Sequence, residues 1–296
     1  MEFEITHTTR YAYGHAAAEA YGEARLTPPN LPSQQILQHS ITLDPETRAS
    51  RYIDHYGNAV DFFSIPYRHQ RLTITNRLLV RTAPPEKPKQ ALEQTVQEAR
   101  QIFGSVLTQV FDYLQPTETV DQVGESISWA KKYLRASTPL GVGLTVLNEA
   151  IYAQFQYQKG ATDHSTALAT VWKQRAGVCQ DFAHVALSVL RSAGLPSRYV
   201  CGYIETDAPK SPLSPRLIGA VATHAWVEVL VPGMAWVALD PTNRQWVNER
   251  YVAVSYGRDA RDASPLRGTF KGSGGQKLKV SVIMKRRAKR VVRHAH

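Results

Sequence analysis

The feature that most constrains this chain is a change of hydrophobic period at Pro84-Pro85-Glu86-Lys87-Pro88. On the N-terminal side, residues of like character recur at every second position. Phe3 and Ile5 form one such run, and Leu37, His39, Ile41 and Leu43 a second. Leu72, Ile74, Arg77, Leu79 and Arg81 fall in a longer run with room for a bulge. A period of two turns one face of a strand inward and the other toward water. Turn-forming residues separate the runs, at Pro28-Pro29-Asn30, Asp44-Pro45 and Tyr56-Gly57-Asn58. The pattern predicts a small antiparallel β-sandwich over residues 1–84.

Beyond the prolines the period lengthens to that of a helix. Leu92, Val96, Ala99, Ile102, Phe103 and Leu107 recur at three-to-four spacing. Residues 126–135 and 141–155 are further helix candidates, and 166–175 lead into a helix that begins near Cys179. After Pro196 strands return, at 198–204, 222–230, 235–239 and 278–284. A helical lobe followed by an antiparallel sheet is an α+β arrangement, with a cleft where the two layers meet. This domain is expected over residues 90–284, with 285–296 as a basic tail.

A chain of 296 residues is long enough for two cores. No apolar run approaches the roughly 20 residues that cross a membrane, so no membrane partner is expected. The opening MEFEITHTTRYAYG lacks the basic-then-apolar order of a signal peptide. Cys179 and Cys201 are the two cysteines, fewer than a secreted disulfide framework uses, so a cytoplasmic setting is expected. The net charge of +10 is concentrated: residues 277–296 carry eight Lys and Arg and no acid. Such a tail can hold nucleic acid, an anionic surface or an acidic partner. Without interleaved aromatics it is weak evidence for nucleic acid, and a solvated terminus explains it better.

The chemistry centres on Gly177-Val178-Cys179-Gln180-Asp181-Phe182-Ala183-His184. A turn gives way here to an amphipathic helix with Phe182, Val185, Ala186, Val189 and Leu190 on one face. Cys179 therefore stands at a helix N-terminus, where free N–H groups and the macrodipole favour thiolate. Downstream, residues 223–229 and 236–242 each read as a strand with one functional group, His224 and Asp240. A hairpin around Pro232-Gly233 would bring these two together. Cysteine, histidine and aspartate on separate elements suit thiol acyl transfer. Cys179 attacks an amide and forms a thioester, His224 exchanges the proton, and Asp240 orients the imidazole. The Cys179 N–H is one expected oxyanion donor, with Gln156, Tyr157 and Gln158 as candidates for the second. Each residue alone also has a structural explanation, as core filler, strand histidine or pre-proline turn.

The blocks GVCQDFAH (177–184), THAWVEV (223–229) and WVALDPTN (236–243) resemble the bacterial transglutaminase-like superfamily of papain-fold thiol enzymes. FEITHTTRYAY with RLTPP after it, GRDARDASPLRG (257–268) and the closing strand LKVSVIM are similar to that group as well. The resemblance covers the chain up to its basic tail. It implies a cysteine-protease-like core behind an N-terminal β domain, with Cys179, His224 and Asp240 in the triad positions. The superfamily includes proteases, amidases and cross-linking enzymes, so the acyl acceptor stays open. Hydrolysis of a peptide or protein substrate is the expected outcome, with amine transfer as one alternative and a non-catalytic peptide-binding module as another.

Other residues are candidates for the cleft or its support. Asp181 suits the first helical turn, where a carboxylate complements the dipole, and should face away from a thiolate. His184 lies about 140° around the helix from Cys179 and should not share its face. Trp226 shares a strand face with His224 and could wall the cleft or fill the core. Arg258 and Asp259 could line the substrate site or form a structural pair, and Cys201 should be core. Cys179, His184, His224 and Asp240 could ligate zinc, but no CxxC, HxxxH, HExxH or EF-hand spacing is present. Neither metal nor cofactor is expected.

Overall fold

The structure, a computed structural model, describes residues 1–163, 165–206, 217–218 and 222–287. The tail from 288 to 296 lies outside the described residues. Six strands come first: β1 (Glu2–Ala17), β2 (Glu19–Thr27), β3 (Gln34–Asp44), β4 (Ala49–Ile53), β5 (Ala59–Ile65) and β6 (His69–Thr82). Then come α1 (Lys89–Glu93), α2 (Val96–Ser105), α3 (Leu107–Val110), α4 (Gly124–Tyr133) and α5 (Leu140–Gln154). A short strand, β7 (Gln156–Tyr157), leads to α6 (Leu168–Gln174), β8 (Ala176–Gly177) and α7 (Cys179–Ser192). Strands close the chain: β9 (Ser197–Ile204), β10 (His224–Val231), β11 (Ala235–Asp240), β12 (Gln245–Trp246), β13 (Tyr251–Gly257), β14 (Leu266–Lys271) and β15 (Gln276–Arg286). The class is α+β.

The N-terminal sandwich is built from two four-stranded sheets, β15-β1-β6-β3 and β14-β2-β5-β4. Its membership corrects the expected boundary at 284. β15 pairs with β1 from Phe3↔Arg286 to Tyr13↔Gln276, and β14 pairs with β2. Residues 266–286 therefore complete the sandwich rather than the sheet that carries His224. The alternation of Leu278, Val280 and Val282 marks a strand, but does not name its neighbour. That neighbour is β1, whose Phe3 and Ile5 pack with Val282 in one buried cluster.

The core sheet runs β12-β11-β10-β9-β13, all antiparallel. The helical spacing that runs from Leu92 to Leu107 is divided among α1, α2 and α3. α7 also differs from the expected one-faced helix: every residue from Asp181 to Arg191 is buried. It is wrapped by α4, α5 and α6 on one side and by β9 and β10 on the other. A helix enclosed all round must satisfy its polar groups internally. Ser188 accordingly donates to the Asp121 carbonyl, and Arg191 to the carbonyls of Gln115, Ser197 and Arg258. The helix ends at Gly194, whose φ of 73° lets the chain turn into β9.

Sandwich and core share an interior. Phe3, Ile5 and Val80 pack with Tyr203, Val252 and Val254. Beside them His7 bonds the Tyr203 hydroxyl at 2.9 Å and Thr9 at 3.2 Å. Burial lowers the His7 pKa to about 4, and burial also lowers that of His184 to about 4. The unfolded chain takes up these protons near pH 6.5 while the fold refuses them. Stability is therefore full above pH 6.5 and falls as pH drops toward 4, by roughly 3 kcal/mol for each histidine. His7→Gln, which can keep a hydrogen bond to Tyr203, is expected to remove about half of that slope in urea unfolding curves. An unchanged slope would contradict the assignment.

Candidate active site

Cys179 is the first residue of α7 and is partly exposed. Three features fix the turn before it. α6 ends at Arg175, held at a left-handed φ of 52°. Its guanidinium lies 4.9–5.3 Å from the ring centres of Trp129, Phe155 and Trp172, which helps offset that strain. The parallel pairing of β7 with β8 sets Tyr157 beside Gly177. Asp181 then turns its carboxylate back over the turn, accepting from the Val178 N–H at 2.7 Å and the Thr162 hydroxyl at 2.6 Å. A Cβ on Gly177 would lie 2.5 Å from Asp181 Oδ2, so the turn requires glycine there. Burial raises the Asp181 pKa, against the opposing effect of those two hydrogen bonds.

His224 opens β10 and Asp240 closes β11; the register Val227↔Leu239 brings both to the same end of the sheet. His224 Nε2 donates to Asp240 Oδ2 at 2.7 Å, and both side chains are fully buried. Four more donors converge on that carboxylate. Tyr251 and the Asn243 amide donate to Oδ2, each at 2.7 Å. The backbone N–H groups of Thr242 and Asn243 donate to Oδ1 at 2.9 and 3.2 Å. Gln245 in turn donates to the Tyr251 hydroxyl at 2.6 Å. Burial would raise Asp240, but the charge and hydrogen bond of His224, with the hydrogen bonds of Asn243 and Tyr251, lower it overall.

The imidazole feels the reverse balance. Burial would lower His224, but the Asp240 charge and hydrogen bond, followed by Cys179, raise it to about 10. With Nε2 committed to Asp240, Nδ1 is buried without a hydrogen bond of full geometry among the described residues. The Cys179 side chain is nonetheless close enough to shift the ring. Tyr157 is raised by burial and then by Cys179, so its phenol borders the same thiol. The structure thus brings Cys179, His224 and Asp240 together. Among the described residues no group of three or more His, Cys, Asp and Glu is placed to hold a metal ion.

The remaining candidates separate. Trp226 is buried, its ring 6.2 Å from His224 and 5.3 Å from Tyr251. Its ring fits over Gly202 of β9 because that residue has no Cβ; one there would meet the Trp226 ring at 2.4 Å. Arg258 and Asp259 do not join His224. Arg258 pairs with Asp262 at 2.9 Å, while Asp259 accepts from Thr119 and the Arg261 N–H. Asp259 acts on the buried His184 and Arg191 of α7, so this loop braces the helix away from Cys179. Cys201 is buried, and burial pushes its thiol up to about 12. Asn243, Gln245 and Tyr251 were not singled out from the sequence. Asn243 sits in the block around Asp240, but Tyr251 opens β13, whose run of Tyr251, Val252, Ala253 and Val254 carries no period-two signal.

Residues 3–81 match the bacterial transglutaminase-like N-terminal region, and residues 127–241 match the transglutaminase-like superfamily. The chain belongs to the transglutaminase-like superfamily. It is similar throughout to two mycobacterial proteins, both named as uncharacterized. One from Mycobacterium tuberculosis is 38% identical over 293 residues, covering 95% of this chain and 91% of that protein. One from Mycobacterium leprae is 32% identical over 288 residues, covering 96% and 98%. A Pseudomonas aeruginosa protein-glutamine gamma-glutamyltransferase is 38% identical over 72 residues, or 23% of this chain and 10% of that protein. The transglutaminase-like fold recurs in a solved structure of a candidate cysteine protease from Cytophaga hutchinsonii. It superposes with a TM-score of 0.73 at 20% identity, covering 96% of this chain and 90% of that one.

Proposed function

We propose that this superfamily member is a thiol-dependent amidase or peptidase that cleaves peptide-like or glutamine amides through a thioester on Cys179. The observation that carries the reading is the free Nδ1 of His224, beside a cysteine at a helix N-terminus, on a ring whose Nε2 is bound to buried Asp240. Cys179 Sγ, deprotonated by His224, attacks the carbonyl carbon. The C–N bond breaks as the imidazolium protonates the leaving nitrogen. Water then adds to the thioester with its proton going to His224, and the acid leaves as sulfur is released. Asp240 keeps the imidazole oriented and stabilises its charged form. The Cys179 N–H and the Tyr157 hydroxyl are the oxyanion donors in this scheme. Tyr157→Phe is expected to lower kcat about 10²-fold with KM little changed.

Tyr251 acts through Asp240 as a positioning residue. Tyr251→Phe takes one of three donors from Oδ2 and is expected to lower kcat about tenfold. Asp240 would then be held less firmly as an anion. The alkaline limb of the pH profile, set by loss of the imidazolium proton, should move to lower pH. A loss of thermal stability with kcat and the pH profile unchanged would assign Tyr251 to structure alone.

Water is the proposed acceptor because it needs no second binding site. The name of the Pseudomonas aeruginosa relative favours a second reading, transfer to a primary amine. Incubating an amide library with and without a primary amine, and following products by mass spectrometry, separates the two. Free acid in both arms supports hydrolysis, amine adducts at its expense support transfer, and no product in either arm supports a non-catalytic peptide-binding module. The cytoplasmic setting belongs to the same proposal, as both cysteines are free. Among the described residues no helix is long and apolar enough to cross a membrane.

A further inference from the structure

A cavity of about 600 Å³ lies between the Pro84–Lys87 segment and the core sheet. Cys179, His224 and Asp240 do not line it. At one wall Arg198 binds a single oxygen of Glu228, Oε2, through Nε at 2.7 Å and through a second guanidinium nitrogen at 2.6 Å. The second oxygen of Glu228, Oε1, and the other terminal nitrogen of Arg198, Nη1, stand outside that pair as acceptor and donor. The guanidinium is clamped between Trp236 at 4.2 Å and Tyr256 at 3.9 Å, so the pair cannot swing away. The indole N–H of Trp226 and the hydroxyl of Tyr256, side chains that line the same cavity, are buried with no partner. Two unsatisfied donors thus stand beside a fixed donor–acceptor pair, all framed by aromatic rings, and a buried polar group without a partner calls for one.

We propose that this cavity binds a neutral peptide amide: its carbonyl accepts from Arg198, its N–H donates to Glu228, and an apolar side chain packs among the rings. A free carboxylate would meet Glu228 and an ammonium would meet Arg198, so an uncharged amide fits both groups best. The site is coupled to the reacting residues. Trp226, in its wall, faces His224 and Tyr251, and Tyr251 holds Asp240. The occupant is therefore a segment of the peptide substrate remote from the scissile bond. That role, though not the binding itself, rests on the acyl-transfer reading.

The test uses the full chain with its five tryptophans labelled at the indole nitrogen, titrated with N-acetyl-phenylalaninamide. Saturable shifts at Trp226 and Trp236, with Trp129 and Trp172 still, are expected. Cys179→Ala should bind as the wild type does, whereas Glu228→Gln should bind about tenfold more weakly. Should that variant fail to fold, Ala238→Phe, across the strands from Glu228, fills the cavity without removing either charge and is expected to block binding. Unsaturable or uniform shifts would overturn the proposal. So would binding that vanishes in Cys179→Ala or survives undiminished in both cavity variants. A protein that binds this amide in the cavity but turns over no substrate keeps the site and loses only the acyl-transfer reading.

Discussion

Cys179→Ala is expected to abolish amide turnover, by at least about 10³-fold in kcat, without lowering the melting temperature. The side chain is small and partly exposed, and the turn that presents it is held by Arg175, Gly177 and Asp181 rather than by sulfur. Removing it leaves the fold intact and deletes the atom that carries the acyl group. His224→Ala should cost nearly as much, and the double variant little more than either alone, because the two act as one unit. Steady-state kinetics with calorimetry check this. Turnover within tenfold of wild type, or multiplicative losses in the double variant, would remove Cys179 from the mechanism.

Asp240→Asn is expected to lower kcat by about 10²–10⁴-fold. The amide fits the space but offers no charge, and its NH₂ group opposes donors from His224, Tyr251 or Asn243. Asp240 is the largest influence raising the His224 pKa. Its replacement should therefore move the alkaline limb of the kcat/KM profile to lower pH. Both changes are read in one pH–rate series, where a smaller rate with an unmoved limb would mean that Asp240 only packs. Thermal stability should fall as well, since five donors converge on that carboxylate.

The sequence shows local periodicity more readily than partnership. Phe3 and Ile5 alternate in β1 as expected, and the strand at 278–284 is present. Its place beside β1 was hidden, because alternation at Leu278, Val280 and Val282 suits any sheet with a free edge. α7 was legible as a helix from Cys179 onward. Its burial on every side was not, because Ser188 and Arg191 read as polar until their carbonyl partners fold around them. The meeting of His224 with Asp240 followed from a hairpin and two spacings, so it could be anticipated. Tyr251 comes from a third strand and reaches Asp240 only through tertiary packing. Arg258 and Asp259 could suit a cleft but better suited a structural pair, and the position of Thr119 and Arg191 favours the brace.

The pairing of Cys179 with His224 is tested most directly by alkylation with iodoacetamide, read residue by residue in intact protein. Cys179 is expected to react at least tenfold faster than buried Cys201 at neutral pH, and His224→Ala to slow Cys179 by about tenfold. Equal and slow labelling of both thiols, or a Cys179 rate indifferent to His224, would contradict a thiolate held by this histidine.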